Sequence, residues 1–349
     1  MRIAVCHPQV PFSTGGAEAH VRALAEALRQ AGHQAEVVTL PYKWYPPEEL
    51  VHQMAMWRSL DLSEITGQAI DAVVALKFPS YLVPHRRKVV WLMQQYQPAY
   101  DLWEHPEFGE LARDEHGEEI RRTIWQADAL ALGEADRLFA TSNNVRGRLH
   151  RSLGLEAEVL YHRSSLTEAI LAGEAGGYGD YVLLPSRLER RKRQGLLIDA
   201  LAKTRTDVRV ILVGTGPDEE ALRRRAGRAG VGGRIEFMTD VPNDRLVQLY
   251  RGSLGVCYIP FDEDYGYVTL EGFAARRPVI TATDSGGPLE FVRDGATGIV
   301  IEPEPSSVAD ALDRLRSEPG LAQRLGGAGH RELLASVRPW PEIVDRLLS

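Results

Sequence analysis

Along the chain, short apolar runs alternate with longer segments in which apolar residues recur every three to four positions. Ile3–Cys6 has the length and content of a buried strand. Ala17–Ala31 follows, with Val21, Leu24, Ala25 and Leu28 at i, i+3, i+4 and i+7, which predicts an amphipathic helix. Gly32 stands where its C-cap belongs. The same pattern predicts strands at Glu36–Leu40, Asp71–Leu76, Lys88–Met93, Arg137–Thr141 and Val159–Tyr161, with a helix over Glu118–Leu132. Residues 163–180 lack clear periodicity and hold Gly173, Gly176, Gly177 and Gly179, which predicts a linker. The alternation then restarts, with strands expected at Tyr181–Pro185, Arg209–Val213, Ile235–Met238, Val256–Ile259, Val279–Thr281 and Ile299–Ile301. Helices are expected at Gln194–Lys203, Glu219–Ala229, Arg245–Arg251, Tyr267–Ala275 and Ser307–Leu315. This rhythm predicts an α/β chain of two Rossmann-like domains, 1–162 and 181–338, each with a parallel sheet covered on both faces. A last short helix over 341–348 either closes the second domain or returns to the first.

With 349 residues, 44% hydrophobic and 26% charged, the composition is that of a folded chain of about two domains and excludes a disordered one. The formal net charge is −7, and neither half is basic. That argues against a nucleic-acid footprint and against a polybasic membrane-docking face. Cys6 and Cys257 both lie in apolar runs, which predicts buried free thiols, in keeping with a reducing cytoplasm. The few apolar residues before His7 and Pro8 are too short for a signal-peptide core, and no run reaches the ~18 apolar residues of a membrane span. A soluble, cytoplasmic protein is the expectation.

Three stretches carry candidate chemistry. In Pro260–Glu290, Glu263 and Glu271 are eight residues apart, and Gly266 marks a loop turning into a helix. The N–H groups of Gly266, Tyr267 and Val268 then sit at a helix N-terminus, ready for a phosphate, with Glu271 within reach of a ribose diol. The competing reading is two solvated surface acids. In the second stretch, Ser186 and Arg187 follow the strand Tyr181–Pro185, where open α/β sheets bind ligands, and Lys192 lies five residues on. Arg187–Arg193 holds five cations in seven residues, so it reads either as a diphosphate partner or as a basic surface run. The third stretch, Pro11-Phe12-Ser13-Thr14-Gly15-Gly16-Ala17-Glu18, permits close backbone approach at a helix start, or is a plain strand–helix turn. Gly214-Thr215-Gly216-Pro217 begins like a dinucleotide fingerprint, but Glu219 occupies its third glycine position, which removes support for a nicotinamide enzyme. P-loop and zinc spacings are missing. His7 reads as a structural histidine. Most tryptophans read as core, with Trp44 and Tyr45 a candidate acceptor platform.

Taken in order, these stretches resemble the retaining glycosyltransferases of family four, whose architecture is GT-B: two Rossmann-like domains facing each other across a cleft. Gly15-Gly16-Ala17-Glu18 is similar to the family's glycine loop. Arg187 and Lys192 match its R-x-x-x-x-K pair, Gly214-Thr215-Gly216-Pro217 its G-x-G-P turn, and Arg234–Met238 its nucleobase segment. Glu263 to Glu271 fits E-x-F/Y-G-x-x-x-x-E, and Gly286–Glu290 and Asp294–Gly298 also match. The resemblance spans nearly the whole chain. It implies that Arg187 and Lys192 hold the diphosphate of a UDP- or GDP-sugar. It further implies that Glu271 binds the ribose, that Glu263 and the backbone of Tyr265–Val268 hold sugar and phosphate, and that the Gly214 turn and Met238 lie near the nucleotide. Gly15 and Gly16 approach the phosphate from the first domain.

The implied reaction is retaining transfer of a hexose to a carbohydrate or glycoconjugate hydroxyl, as in polysaccharide biosynthesis. Fixed cations stabilise the departing diphosphate, so no metal or cofactor is expected and Asp262-Glu263-Asp264 is an accidental D-x-D. One departure concerns the acceptor or sugar side. Val89–Asp101 is similar to a family segment with a histidine near the sugar, but Gln94 holds that position, close to Tyr96. Glutamine bonds a hydroxyl but takes no proton. Two alternatives follow: a nucleotide-sugar-binding subunit with little activity, and a nucleotide-sugar epimerase.

Overall fold

The computed structural model describes residues 1–12, 15–174 and 176–349. The chain divides into two compact units, Met1–His162 with Pro339–Ser349, and Arg163–Arg338.

The first unit begins with β1 (Arg2–Gln9), α1 (Gly16–Gln30), β2 (Gln34–Pro41) and α2 (Glu48–Arg58). A two-stranded hairpin, β3 (Glu64–Ile65) and β4 (Gln68–Ala69), follows. Then come β5 (Ala72–Lys77), β6 (Lys88–Gln94), α3 (Gly117–Gly133), β7 (Arg137–Ala140), α4 (Asn143–Leu153) and β8 (Glu158–Val159). The sheet is parallel, in the order β2-β1-β5-β6-β7-β8. Successive residues of a strand point to opposite faces. Ile3 and Val5 therefore pack with Val21, Leu24 and Leu28 of α1, while Ala4 and Cys6 pack into the core containing Leu50, Trp57, Ile120 and Leu149.

In the second unit, α5 (Ser165–Leu171) precedes β9 (Tyr181–Pro185), α6 (Gln194–Leu201), β10 (Arg209–Val213), α7 (Glu219–Arg228) and β11 (Ile235–Met238). Next are α8 (Asn243–Gly252), β12 (Gly255–Cys257), α9 (Tyr267–Ala274), β13 (Val279–Ala282), β14 (Gly298–Ile301), α10 (Pro305–Ser317) and α11 (Leu321–Ser336). Its sheet is also parallel, in the order β11-β10-β9-β12-β13-β14.

One expectation changes and one open choice is decided. Residues 163–180 are no featureless linker, because α5 lies inside them: Ser164 caps it by accepting the Thr167 N–H at 3.0 Å, and Ile170 is buried. The last helix, α12 (Trp340–Leu348), belongs to the first unit, where Ile343, Val344 and Leu347 share a core with Leu24 and Leu28. Both cysteines are buried and free.

Candidate functional site

The order of the second sheet explains where its chemistry gathers. β9 is flanked by β10, which follows it, and by β12, the unit's fourth strand. The loops leaving β9 and β12 therefore depart to opposite sides, opening a crevice at their carboxyl ends. Lys192 follows β9 and Glu263 follows β12. The structure brings them into direct contact, Lys192 Nζ on Glu263 Oε2, with side chains 18% and 20% exposed. Tyr258 Oη donates to the same oxygen at 2.9 Å. Backbone bonds fix this loop: Glu263 N–H donates to the Ser285 carbonyl at 2.9 Å, and Gly287 N–H to the Glu263 carbonyl at 2.8 Å.

The reading as two solvated acids is overturned. Glu271, on α9, is 7% exposed; it accepts from Ser164 Oγ at 2.9 Å and from Tyr250 Oη at 2.6 Å. The two carboxyls are pushed apart. Burial raises Glu271, only partly offset by its hydroxyl donors. For Glu263 burial also pulls upward, but the adjacent Lys192 charge and the bonds from Lys192 and Tyr258 win and hold it below the usual range. Glu263 is thus the fixed anion, and Glu271 is the carboxyl that retains a proton more readily.

Gly266 caps α9 in the left-handed region at φ 84°, and a Cβ there would lie 2.9 Å from Pro288 Cγ. Tyr267 and Val268 start the helix half-buried, and the cap lies against the ring that holds Glu263: a Cβ at Gly266 would be 3.1 Å from Tyr258 Cε1. Tyr265 is buried, edge-on to Tyr267 at 5.4 Å and to Phe291 at 6.0 Å. Gly214 follows β10 directly at φ 137°, and a Cβ would meet the Ser186 carbonyl oxygen at 2.2 Å. Its N–H donates to the Met238 carbonyl at 2.9 Å, which joins the Gly214 turn to the end of β11.

The basic run Arg187–Arg193 divides by role. Arg193 makes two 2.6 Å bonds to Asp284, and Arg191 donates to the Asp262 carbonyl at 3.0 Å, so both tie the β9 loop to the loops after β12 and β13. Arg187 is not brought to Lys192 and Glu263 as a fixed cation: its side chain is 61% exposed and pairs with Glu189 at 3.4 Å.

In the first unit, Glu18 Oε2 accepts the Gly15 N–H at 2.7 Å, and Glu18 Oε1 lies 3.5 Å from the buried His7. The glycine loop is thus held from inside, and Gly15's N–H is already engaged. Gly16 opens α1; Ser13 and Thr14 lie outside the described residues. Gln94 ends β6 half-buried, and Tyr96 is buried two residues on. Tyr45 is exposed, with Trp44 edge-on at 5.3 Å.

Sequence reasoning missed Tyr258, Tyr250 and Ser164. Tyr258 and Tyr250 read as strand and helix filler. The signal for Ser164 was its N-cap position before Leu166-Thr167.

Residues 176–332 match the family described as Glycosyl transferases group 1, and residues 14–162 match Glycosyltransferase Family 4. A D-inositol 3-phosphate glycosyltransferase of Nocardia farcinica is 30% identical over 239 residues, 62% of this chain and 52% of that protein. A human alpha-1,3/1,6-mannosyltransferase is 29% identical over 170 residues, 44% of this chain and 41% of its own. The chain spans about half the length of the curated relatives it matches. Among solved structures, sucrose-phosphate synthase from Thermosynechococcus elongatus superposes with a TM-score of 0.78 at 19% identity, covering 99% of this chain and 97% of that one. Anabaena HepE in complex with UDP and glucose gives 0.68 at 17%, covering 100% and 99%.

Proposed function

We propose that this chain, which belongs to the family-four glycosyltransferases and has their GT-B fold, moves a hexose from a UDP- or GDP-sugar to a hydroxyl of a carbohydrate or glycoconjugate, with retention and without a metal. The observation that carries the reading is the convergence of Lys192, Glu263 and the N-terminus of α9 at the carboxyl edge of β9 and β12.

Breaking the sugar–phosphate bond leaves negative charge on the nucleoside diphosphate. Lys192 and the first-turn N–H groups of α9 are the groups positioned for that charge, and fixed donors stabilise it more in the transition state than in the ground state. Arg187, exposed and weakly paired, is free to swing onto the diphosphate when the donor binds. Displacing Lys192 toward phosphate frees Glu263 to accept sugar hydroxyls. Glu271, already oriented by Ser164 and Tyr250, has further lone pairs for a ribose diol. The structures of HepE with UDP-glucose make UDP-glucose the first donor to test.

Thermal-shift titration with UDP and GDP, then mass spectrometry of donor with an acceptor panel, tests the reading. A nucleoside-diphosphate shift and a glycosylated product are expected, and EDTA should leave turnover unchanged. Absence of both shift and product overturns the assignment; loss of turnover in EDTA overturns the metal-free part. Gln94 favours a second reading, a donor-binding subunit, which predicts the shift without any product.

A further inference from the structure

Helix α3 carries Arg121, Trp125 and Asp128 at i, i+4 and i+7, so the three side chains leave one face. All three hold the turn that follows β6. Arg121 Nε at 3.0 Å and Trp125 Nε1 at 2.9 Å both donate to the Ala99 carbonyl, and Tyr100 Oη donates to Asp128 Oδ2 at 2.8 Å. The Arg121 guanidinium lies 4.3 Å from the Trp103 ring centroid and 4.2 Å from that of Trp125, whose ring stacks on Tyr100 at 5.9 Å. The clamped turn begins at Gln94 and includes Tyr96. One stripe of a neighbouring helix therefore fixes its far end.

Asp128 is sealed in this core, with 0% exposure. Its Oδ1, the Tyr81 hydroxyl and the Gln95 amide nitrogen are buried together in this core. The groups that face it from the packed elements are Tyr81, Tyr100 and Gln95, which offer hydroxyl and amide donors and no positive charge. The cations of these elements are directed elsewhere: Arg121 to Ala99, Arg122 to Glu118, Arg58 to Glu134, Arg113 to the His105 carbonyl, and Lys88 Nζ to Glu134 and the Tyr81 carbonyl. Burial accordingly pushes Asp128 up to about 7, against the opposing hydrogen bonds.

We propose that Asp128 is a positioning residue for the acceptor-side turn Gln94–Tyr100, holding it through Tyr100 when protonated and loosening it when ionised. The assignment of that turn to the acceptor side rests on the function proposed above; the clamp does not. Ionisation leaves a carboxylate in an apolar core without a counter-charge, and water must enter to solvate it. Ionisation strengthens the Tyr100 bond itself, so the turn is the segment that moves: Tyr100 stays bonded to the carboxylate and is carried with it as the charge shifts toward water.

Hydrogen exchange read by mass spectrometry on the full chain tests this at about pH 6 and about pH 8, corrected for the intrinsic rate. In the wild type, residues 94–102 should lose protection by about fivefold or more at the higher pH. Asp128→Asn, neutral and of the same shape, should keep protection at both values. Tyr100→Phe should be unprotected at both, which covers the case in which Asp128→Asn folds poorly. Equal wild-type protection at the two pH values overturns the proposal, as does an Asp128→Asn profile identical to the wild type. Release of UDP from UDP-glucose, followed in parallel, should fall with the same pH midpoint in the wild type only. If no variant releases UDP, the functional reading fails and the exchange result still decides the clamp.

Discussion

At the scale of single residues, the account depends on Lys192 and Glu263. Either truncation leaves the other charge in a mostly buried setting and removes a group proposed to act on the leaving diphosphate or the sugar. Lys192→Ala and Glu263→Ala are each expected to lower turnover by roughly 10²–10³-fold, in line with the loss of one preorganised transition-state donor. Wild-type rates in both variants would contradict the role. Tyr250→Phe removes one of two donors that orient Glu271, and should weaken UDP binding about three- to tenfold in a calorimetric titration while the fold persists. As candidates, Glu263, Glu271 and Lys192 were legible in the sequence, because the eight-residue step from Glu263 to Glu271 and the placement of Lys192 after a strand are local patterns; the matching role for Arg187 is not seen in the structure. The acids' partners were not legible. Tyr258 reaches Glu263 at a separation of five, through a loop with no periodic pattern to orient it, and Ser164 reaches Glu271 over a separation of 107, which only the tertiary fold closes.

At the scale of elements, the sheet strands followed from short apolar runs, and nearly every expected strand is present within two residues of its place, whereas the order of strands within each sheet and the short β3–β4 pair were not read. Helices α2, α4, α5 and α11 were not read. α5 is too short to show two turns of periodicity and is followed by glycines, which masks it as a linker. α2 has Leu50, Met54 and Trp57 on its buried face, but the prolines before it and the polar residues between them dilute the pattern. The basic run after β9 is a case where composition was informative and role was not: Arg191 and Arg193 are loop ties, while Arg187 stands in solvent. Turn geometry gives a sharper prediction. Gly266→Ala places a side chain in the left-handed region and against Pro288, which should cost about 1–3 kcal/mol in urea unfolding and blunt nucleotide binding, since the start of α9 would shift. An unchanged urea midpoint with unchanged UDP affinity would contradict the role given to this turn.

At the scale of the whole molecule, α12 is part of the first unit's core although it lies at the other end of the sequence. Removing residues 340–349 exposes the partners of Ile343, Val344 and Leu347. With about 1.5–3 kcal/mol for each fully buried aliphatic side chain, that approaches the total stability of an ordinary domain. The truncated chain should lose cooperative unfolding of the first unit, checked by hydrogen exchange across residues 1–162. The pH dependence of stability also carries a signature. Asp128 is raised in the native state, so below the unfolded value it favours folding fully, and that contribution is lost as pH rises toward about 7. Burial lowers His20 and His162, which act in the opposite sense on acidification, so the difference between wild type and Asp128→Asn isolates the carboxyl. Relative to that variant, the wild type should melt roughly 4 °C or more lower at about pH 8 than at about pH 5. A constant difference would contradict the buried-acid assignment.

The most direct measurement is a crystal structure of the chain soaked with UDP. The account predicts the diphosphate against Lys192 and the first turn of α9, with the ribose hydroxyls on Glu271. A nucleotide bound elsewhere, with the Lys192–Glu263 pair intact and Glu271 contacting only Ser164 and Tyr250, would contradict it.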